Sequence, residues 1–300
     1  MKNAKKIIYD HDLGSDCDDA GAVAILVKAH KAGRCRALAI TSCIADPYGA
    51  ICTGAICEYF GADDIPVGAN RSNDKLSEEG YDTCTKVAAE KWYNGRPYPE
   101  YESSVTLLRR ILAENGKKDI TFVTTGPLIT VHELLISGPD EISPKTGKEL
   151  FEENIAEFVC GAGNFTGDTE NREWNIRADP ESALYVINDP VVPMTFVGNN
   201  VGGGIFTGSR LPDCDERYPV RESYYLLWNY ENCVRNSWDL VTVYYAVYGG
   251  AGLWDVAEGY DVKVNELGQT RFKEGGPHSY IYQVASSELI TALLDEFMIP

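Results

Sequence analysis

Short hydrophobic runs along the chain alternate with segments in which hydrophobic positions recur at helical spacing. The first run covers residues 6–9, and from Ala20 onward hydrophobic positions repeat every three to four residues. Further strands are predicted at residues 36–42, 64–68, 120–124, 155–160 and 193–197. Strands that alternate with helices predict an α/β fold, Rossmann-like, with a largely parallel open sheet flanked by helices.

The last third of the chain departs from this alternation. It holds two aromatic-rich helical segments, an alternating segment that predicts a hairpin, and a closing helix, near residues 221–232, 238–248, 260–273 and 286–297. Residues 72–98 are polar and are interrupted by glycine and proline, which predicts an irregular segment. No repeat or linker separates these parts. We therefore expect one domain over residues 1–300, with helical and small hairpin elaborations in the last third.

The net charge of the chain bears on its binding partners, and the spacing of its cysteines bears on their redox state. The chain has 27 Lys and Arg against 45 Asp and Glu, a net charge of −18, which argues against nucleic acid and anionic membranes as partners. No hydrophobic run is long enough to span a bilayer or to act as a secretory signal, so a cytoplasmic location is expected. The nine cysteines are scattered without a Cys-x-x-Cys pair, which indicates reduced thiols.

Five aspartates follow the first predicted strand within ten residues: Asp10, Asp12, Asp16, Asp18 and Asp19. A helix N-terminus favours acidic residues, which accounts in part for the last three. It does not account for Asp10 and Asp12, because they leave a buried strand, where an uncompensated charge is costly. Several converging carboxylates need a cation, and an all-oxygen set suits calcium or magnesium.

Other polar side chains follow further predicted strands. Asp46, Thr125 and Asn164 come after the strands ending near residues 42, 124 and 160. Ligands of open α/β sheets bind beyond the carboxyl ends of the strands. These loops are therefore expected to converge with the aspartate-rich loop on one site.

Several motifs in this order resemble the inosine-uridine-type nucleoside hydrolases. They are Asp-x-Asp-x-Gly…Asp-Asp-Ala from residue 10, Thr-Thr-Gly-Pro-Leu at 124–128, Gly-Ala-Gly-Asn at 161–164, Glu-Trp-Asn-Ile-Arg-Ala-Asp-Pro-Glu at 173–181, and Trp238-Asp239. The resemblance implies one Ca²⁺ and hydrolysis of the N-glycosidic bond of nucleosides to ribose and base, through an oxocarbenium-like transition state. It also implies a nucleoside salvage role and a homodimer or homotetramer.

The resemblance also implies roles for individual residues. Asp12 matches the carboxylate that binds the ion and takes a proton from its bound water. Asp19 and Asp239 match further carboxylate ligands, and Thr125 matches a ligand that uses its backbone carbonyl. The positions matching ribose-hydroxyl binders are Asp18, Asn164, Glu173 and Asn175. Asp10 matches a position that we assign to orienting the loop rather than to ligation.

Three features depart from the resemblance. Between Gly14 and Asp18 the chain is two residues longer than the shortest form of the motif. Pairing Asp16 with its neighbour would make Cys17 a calcium ligand, so we keep Asp18 and Asp19 as the pair. Asp46 stands where many members have asparagine, and it could contact the sugar with altered charge.

The third departure concerns the leaving base. Trp238 stands where several members place a histidine that protonates it, and indole carries no labile acid near neutral pH. Stacking on Trp238, or on the aromatic run at residues 224–230, would then favour purines over uridine, because purine N7 can accept a proton. His278, on a predicted loop, is the alternative acid.

Two other functions stay open on the residues alone. Asp10-x-Asp12 after a hydrophobic strand also suits a haloacid-dehalogenase-like phosphohydrolase, although Gly14 stands where that family has Thr or Val. The other alternative is a non-catalytic nucleoside- or sugar-binding protein with the same pocket. Release of phosphate, release of reducing sugar, or binding without a product would distinguish the three.

Overall fold

The computed structural model describes residues 4–71, 76, 82–168, 170–227 and 233–300. The main-sheet strands in this part of the chain are Lys5–His11 (β1), Cys35–Ser42 (β2), Val67–Ala69 (β3), Glu102–Ser103 (β4), Ile120–Thr124 (β5), Ile155–Cys160 (β6), Met194–Phe196 (β7), Trp254–Val264 (β10) and Thr270–Gln283 (β11). Within the described residues they form a nine-stranded sheet in the order β10-β11-β7-β6-β5-β1-β2-β3-β4. A second, two-stranded sheet pairs Phe206–Thr207 (β8) with Arg235–Asn236 (β9).

Helices cover both faces of the main sheet. The first six are Asp18–Lys31 (α1), Gly49–Tyr59 (α2), Asp82–Tyr93 (α3), Ser104–Asn115 (α4), Ile129–Ile136 (α5) and Gly147–Asn154 (α6). The others are Trp174–Ala178 (α7), Pro180–Asn188 (α8), Asn199–Gly202 (α9), Pro219–Leu227 (α10), Trp238–Tyr248 (α11) and Ser287–Met298 (α12). No helix among these described segments is long and apolar enough to cross a membrane.

Strand β1 lies at the centre of the sheet and pairs in parallel with β2 and β5. Its residues from Ile7 to His11 are all buried, as expected for a parallel strand covered on both faces. The chain adds β2, β3 and β4 on one side of β1 and then β5, β6 and β7 on the other. The boundary between the neighbouring strands β1 and β5 is thus the topological switch point. The loops that follow these two strands lead to opposite sides of the sheet and leave a crevice between them.

The largely parallel α/β architecture predicted from the sequence is confirmed. The strands at residues 120–124 and 155–160 and the helix at 238–248 have the predicted bounds. One domain over residues 1–300 stays a prediction.

One prediction about the fold is wrong. Residues 72–98 contain helix α3, whose buried positions Cys84, Ala88, Ala89 and Tyr93 have helical spacing that the polar residues around them obscure. The predicted hairpin is confirmed as the antiparallel pair of β10 and β11, with strands that extend beyond residues 260–273. Because β11 also pairs in parallel with β7, the hairpin extends the main sheet.

Candidate active site

Three aspartates from distant parts of the chain meet at the carboxyl end of β1. Asp12 directly follows β1, Asp19 lies in the first turn of α1, and Asp239 lies in the first turn of α11. All three side chains are buried, and one oxygen from each lies within 4.8 Å of the others. A fourth buried carboxylate, Asp18, adjoins them.

Backbone amides and short side chains hold these carboxylates in place. The Asp12 amide donates to Asp19 Oδ1 at 3.2 Å, and the Asp239 amide donates to Asp18 Oδ2 at 3.0 Å. The hydroxyl of Ser15 donates to Asp12 Oδ2. Because the helix N-termini direct amides and positive dipole ends at the cluster, α1 and α11 partly offset its negative charge.

Burial nevertheless makes ionisation of the cluster costly. It raises the pKa of Asp12 to about 7, and hydrogen bonding from Ser15 opposes this shift. Burial also raises the pKa values of Asp18, Asp19 and Asp239 well above the ordinary range, and the neighbouring carboxylates add to each shift. Four buried carboxyl groups therefore compete for protons unless a positive charge joins them.

A divalent cation fits this arrangement. The donor atoms are all oxygens, which suits calcium or magnesium rather than zinc. Asp19 Oδ2 is buried and receives a hydrogen bond from no residue in the described part of the chain. Since buried carboxylate oxygens are rarely left without a partner, this atom marks a place for a ligand.

Thr125 follows β5 and reaches the same cluster from the other side of the switch point. Its hydroxyl bonds to Tyr9 OH at 2.9 Å and to Asp19 Oδ1 at 3.5 Å. Its carbonyl accepts from Asn175 Nδ2 at 2.6 Å, and the same amide group donates to Gly161 O at 2.9 Å. Asn175 thereby ties the loops after β5 and β6 together at the edge of the site.

Glu173 caps the short helix α7 that carries Asn175. Its two carboxylate oxygens accept from the amides of Asn175 and Ile176 at 2.9 and 3.0 Å. Burial raises the pKa of Glu173, and these backbone hydrogen bonds oppose the shift. The side chain thus combines a capping role with a position at the site.

A cavity of about 310 Å³ opens over the carboxylates, at the lower end of the range for small-molecule sites. The predicted site residues that line it are Asp12, Asp18, Asp19, Thr125, Glu173, Asn175, Trp238 and Asp239. The others are Ser15, Asp16, Gly161, Trp174, Val197, Asn199 and Arg235. In the described lining, carboxylates and two amides thus share the cavity with two tryptophans and one guanidinium.

Asp16, Arg235 and Trp238 form a connected group in this lining. Arg235 Nε lies 2.9 and 3.0 Å from the two oxygens of Asp16, and a terminal guanidinium nitrogen also donates to Asp16 Oδ2. The guanidinium lies over the Trp238 ring, 5.0 Å from its centroid. Sequence reasoning missed Arg235, and its only local signal was its position three residues before Trp238.

Two residues predicted to bind substrate lie outside the cavity lining. Asn164 is buried, and its Oδ1 accepts from the amide and hydroxyl of Thr166 at 2.9 and 2.6 Å. Its Nδ2 donates to Asn199 Oδ1 at 3.0 Å, so it supports a residue that does line the cavity. Asp46 accepts from the Tyr48 amide and the Thr85 hydroxyl at 2.9 and 2.8 Å.

The histidines and Asp10 also lie away from the cavity lining. His11 Nδ1 accepts from the Leu13 amide at 3.1 Å, which leaves Nε2 to donate to Thr53 Oγ1 at 2.9 Å. Asp10 is buried in β1 and accepts from the Thr41 hydroxyl at 2.6 Å.

The predicted loop position of His278, the alternative acid, is wrong. His278 lies within β11 with 1% of its surface exposed, and its Nδ1 accepts from the Met194 amide at 3.1 Å. In the aromatic run, Trp228 and Tyr230 lie outside the described residues. Tyr224 is fully buried, so it packs in the core.

The comparisons with known proteins agree with this geometry. The sequence model of the family described as inosine-uridine preferring nucleoside hydrolase matches residues 7–278. No curated protein matches the sequence.

Several solved structures share the fold over nearly their whole length. The plant nucleoside hydrolase PpNRh1 is similar with a TM-score of 0.71, 19% identity, and 99% of both chains covered. The inosine-uridine preferring nucleoside hydrolase from Bacillus anthracis has a TM-score of 0.71 and 16% identity, over 97% of this chain and 99% of that one. A purine-preferring ribonucleoside hydrolase from Gardnerella vaginalis has a TM-score of 0.68 and 16% identity, over 98% of each.

Proposed function

Since the chain belongs to the inosine-uridine preferring nucleoside hydrolase family, we propose that it hydrolyses ribonucleosides, with a preference for purines, in the cavity over the aspartate cluster. Membership of this family makes the chain a hydrolase of N-glycosidic bonds. The observation that carries the proposal is the meeting of Asp12, Asp19 and Asp239 at the switch point.

We propose Ca²⁺ as the cofactor, held by Asp12, Asp19, Asp239 and the carbonyl of Thr125. When bound, the ion would supply the positive charge that lowers the pKa of a nearby water. Asp12 would accept the proton of the water that attacks C1′ of the ribose. The C1′–N bond breaks with its electron pair leaving on the base, and the buried carboxylates stabilise the positive charge on the sugar.

The remaining lining residues bind and orient the substrate. Asp18, Glu173 and Asn175 present oxygens that can accept from ribose hydroxyls, and fixed orientation of the sugar lowers the barrier. Asn164 acts through Asn199, which it holds by a hydrogen bond. Asp46, outside the lining, would reach the sugar only after a rearrangement of its loop.

The preference for purines rests on the aromatic part of the lining. Trp174 and Trp238 present indole rings to the cavity, and a purine offers a larger ring for stacking than uracil does. A stacked purine can also accept a proton at N7, whereas uracil has no such nitrogen. The proposal further includes a cytoplasmic salvage role and a homodimer or homotetramer, which light scattering would test.

The alternative functions lack support in the site. A phosphohydrolase of the haloacid-dehalogenase type needs a downstream lysine for the phosphate, and no described residue lining the cavity is a lysine. A binding protein without turnover would not need Asp12 beside two further carboxylates. Neither alternative is retained.

A panel of inosine, guanosine, adenosine, cytidine and uridine, assayed for release of reducing sugar, tests the proposal. Hydrolysis should be fastest for purine nucleosides, stop in chelator and return with added calcium. Asp12→Asn should lower kcat by several orders of magnitude, because an amide is a poor base. The exposed Asp189→Asn serves as a matched control. Failure to hydrolyse any nucleoside would refute the proposed activity. Equal rates with uridine would refute the preference for purines, and activity that persists in chelator would refute calcium as the cofactor.

A further inference from the structure

We propose that Arg235, held by Asp16, stabilises the negative charge that develops on the departing base. The inference rests on the proposed function, because it assigns the leaving-group half of that reaction. It adds one catalytic residue, Arg235, and one positioning residue, Asp16.

The charges around the cavity point to Arg235. Among the described residues that line it, Arg235 alone carries a positive charge, and no histidine is among them. Four of the other lining residues form the buried carboxylate cluster, which suits the cationic sugar and opposes an anionic base. Arg235 is thus the group of the described lining that can offset negative charge on the base.

Asp16 fixes the guanidinium against rotation. The pair is bidentate, with both Asp16 oxygens engaged, and such pairs hold a guanidinium in one plane. Asp16 lies in the segment that is longer than the shortest form of the family motif, 219 residues before its partner. Hydrogen bonding to Asp16 raises the pKa of Arg235, so the guanidinium keeps its charge and donates hydrogen bonds without releasing a proton.

Trp238 directs this charge toward a flat ligand. The guanidinium lies over the indole ring, and the indole Nε1 donates to the Asn199 carbonyl at 2.9 Å, which fixes the ring plane. A heterocycle that enters beside this stack meets an aromatic surface and N–H donors together. Purine N7 and O6, and pyrimidine O2, are acceptors that suit such donors.

The step balances without a further reactant. The C1′–N bond breaks heterolytically and its electron pair moves onto the base, whose acceptor atoms receive hydrogen bonds from Arg235. The base anion then takes a proton from solvent, while water adds to C1′ and gives its proton to Asp12, which afterwards releases that proton to solvent. The sum is nucleoside plus water giving ribose and free base.

Two substrates with different leaving groups test the proposal. Inosine releases a base that needs stabilisation, whereas 4-nitrophenyl β-D-ribofuranoside releases a phenolate that departs without assistance. Arg235→Met should lower kcat for inosine by on the order of 10²- to 10³-fold, as loss of a preorganised donor does. It should change kcat for the nitrophenyl riboside by less than about threefold, because that leaving group draws no stabilisation from the donor.

Variants of the pair and a matched control complete the design. Arg235→Lys, which keeps the charge but not the bidentate geometry, and Asp16→Asn should each reduce inosine kcat selectively, but less than Arg235→Met. Arg210→Met removes an exposed arginine that pairs with Glu296, and both rates should stay unchanged. If Arg235→Met does not fold, the selectivity of Arg235→Lys decides the test.

The outcomes separate the two proposals. Selective loss on inosine supports the role of Arg235, whereas equal loss on both substrates, or no loss on inosine, overturns it. Inactivity of the unaltered protein on every nucleoside and on the nitrophenyl riboside would instead refute the proposed function.

Discussion

The substitution Asp12→Asn should have opposite effects on stability with and without calcium. Asp12 is buried beside Asp19 and Asp239, with side-chain oxygens within 4.8 Å of one another. In the calcium-free protein its charge is a cost, because it is desolvated and, to a smaller extent, repelled by Asp16. With a cation bound, the same charge is a ligand, and its removal weakens binding.

The size of the effect follows from the pKa. Burial raises the pKa of Asp12 to about 7, against about 3.9 for an unfolded aspartate. At pH 7.5 this difference corresponds to about 4 kcal/mol of lost stability, since one pKa unit is worth about 1.36 kcal/mol. Unfolding entropies of about 2.1 cal/mol/K per residue convert this value, for 300 residues, into a rise in Tm of roughly 6 °C.

The sign depends on pH. Below about pH 4 the Asp12 carboxyl is protonated in both states, so Asp12→Asn should leave the Tm of the calcium-free protein unchanged. As pH rises from about 4 through 7, the unfolded chain loses this proton before the folded one does, and the unsubstituted protein loses stability. The advantage of asparagine should therefore appear across this interval and then level off.

Thermal unfolding in EDTA and in calcium, at pH 4, 5.5 and 7.5, measures the effect. Asp189→Asn, an exposed substitution of the same kind, should follow the unsubstituted protein throughout. Calcium should raise the Tm of the unsubstituted protein more than that of Asp12→Asn. If Asp12→Asn lowers the Tm in EDTA at pH 7.5, or shifts it equally at pH 4, the reasoning from a buried and desolvated charge is wrong.

Three further predictions concern the surroundings of the site and the scaffold. Gly14→Ala should lower the free energy of unfolding in urea by about 1–3 kcal/mol, because φ is +124° and a Cβ would clash with Asp46 Oδ2. His278→Phe should lower the Tm but keep kcat for inosine within about threefold, since a residue outside the cavity lining cannot act as its acid. Arg109 holds the pKa of Asp140 at about 2, so above pH 4 the unsubstituted protein should unfold at a higher urea concentration than Arg109→Met does. This difference between the two urea midpoints should shrink toward pH 2, and a difference that does not change with pH would contradict the prediction.

The local sequence contained enough to predict the sheet and the edge where the site lies. Strand β1 carries a hydrophobic run at residues 7–9 directly before Asp10, and such a run followed by a helical segment is typical of a parallel sheet covered on both faces. In a parallel sheet the carboxyl ends of all strands share one edge. Asp12 and Thr125 were therefore expected at the same edge once their strands were recognised, and the pairing of β1 with β5 makes them neighbours.

Asp239 was predicted as a ligand from the family resemblance and not from the pattern of hydrophobic and polar positions. It lies 220 residues from Asp19 along the chain, inside a helix whose hydrophobic spacing says nothing about metal ligands. The structure shows why the position matters: the first turn of α11 points its amides at Asp18 and brings Asp239 to the cluster. The roles assigned to these residues stay predictions.

Only the tertiary structure revealed the group formed by Asp16, Arg235 and Trp238. In the sequence, Asp16 is one of several acidic residues before a helix, and Arg235 is a single basic residue with no marked pattern around it. Their pairing depends on how the loop after β1 and the strand β9 are placed against each other, which no local period encodes. The sequence by itself determined most of the segments that form helices and strands, because hydrophobic spacing is a local property, but the polar residues around α3 obscured that helix. The tertiary structure decided which side chains face the cavity, because that depends on packing between segments distant in the chain.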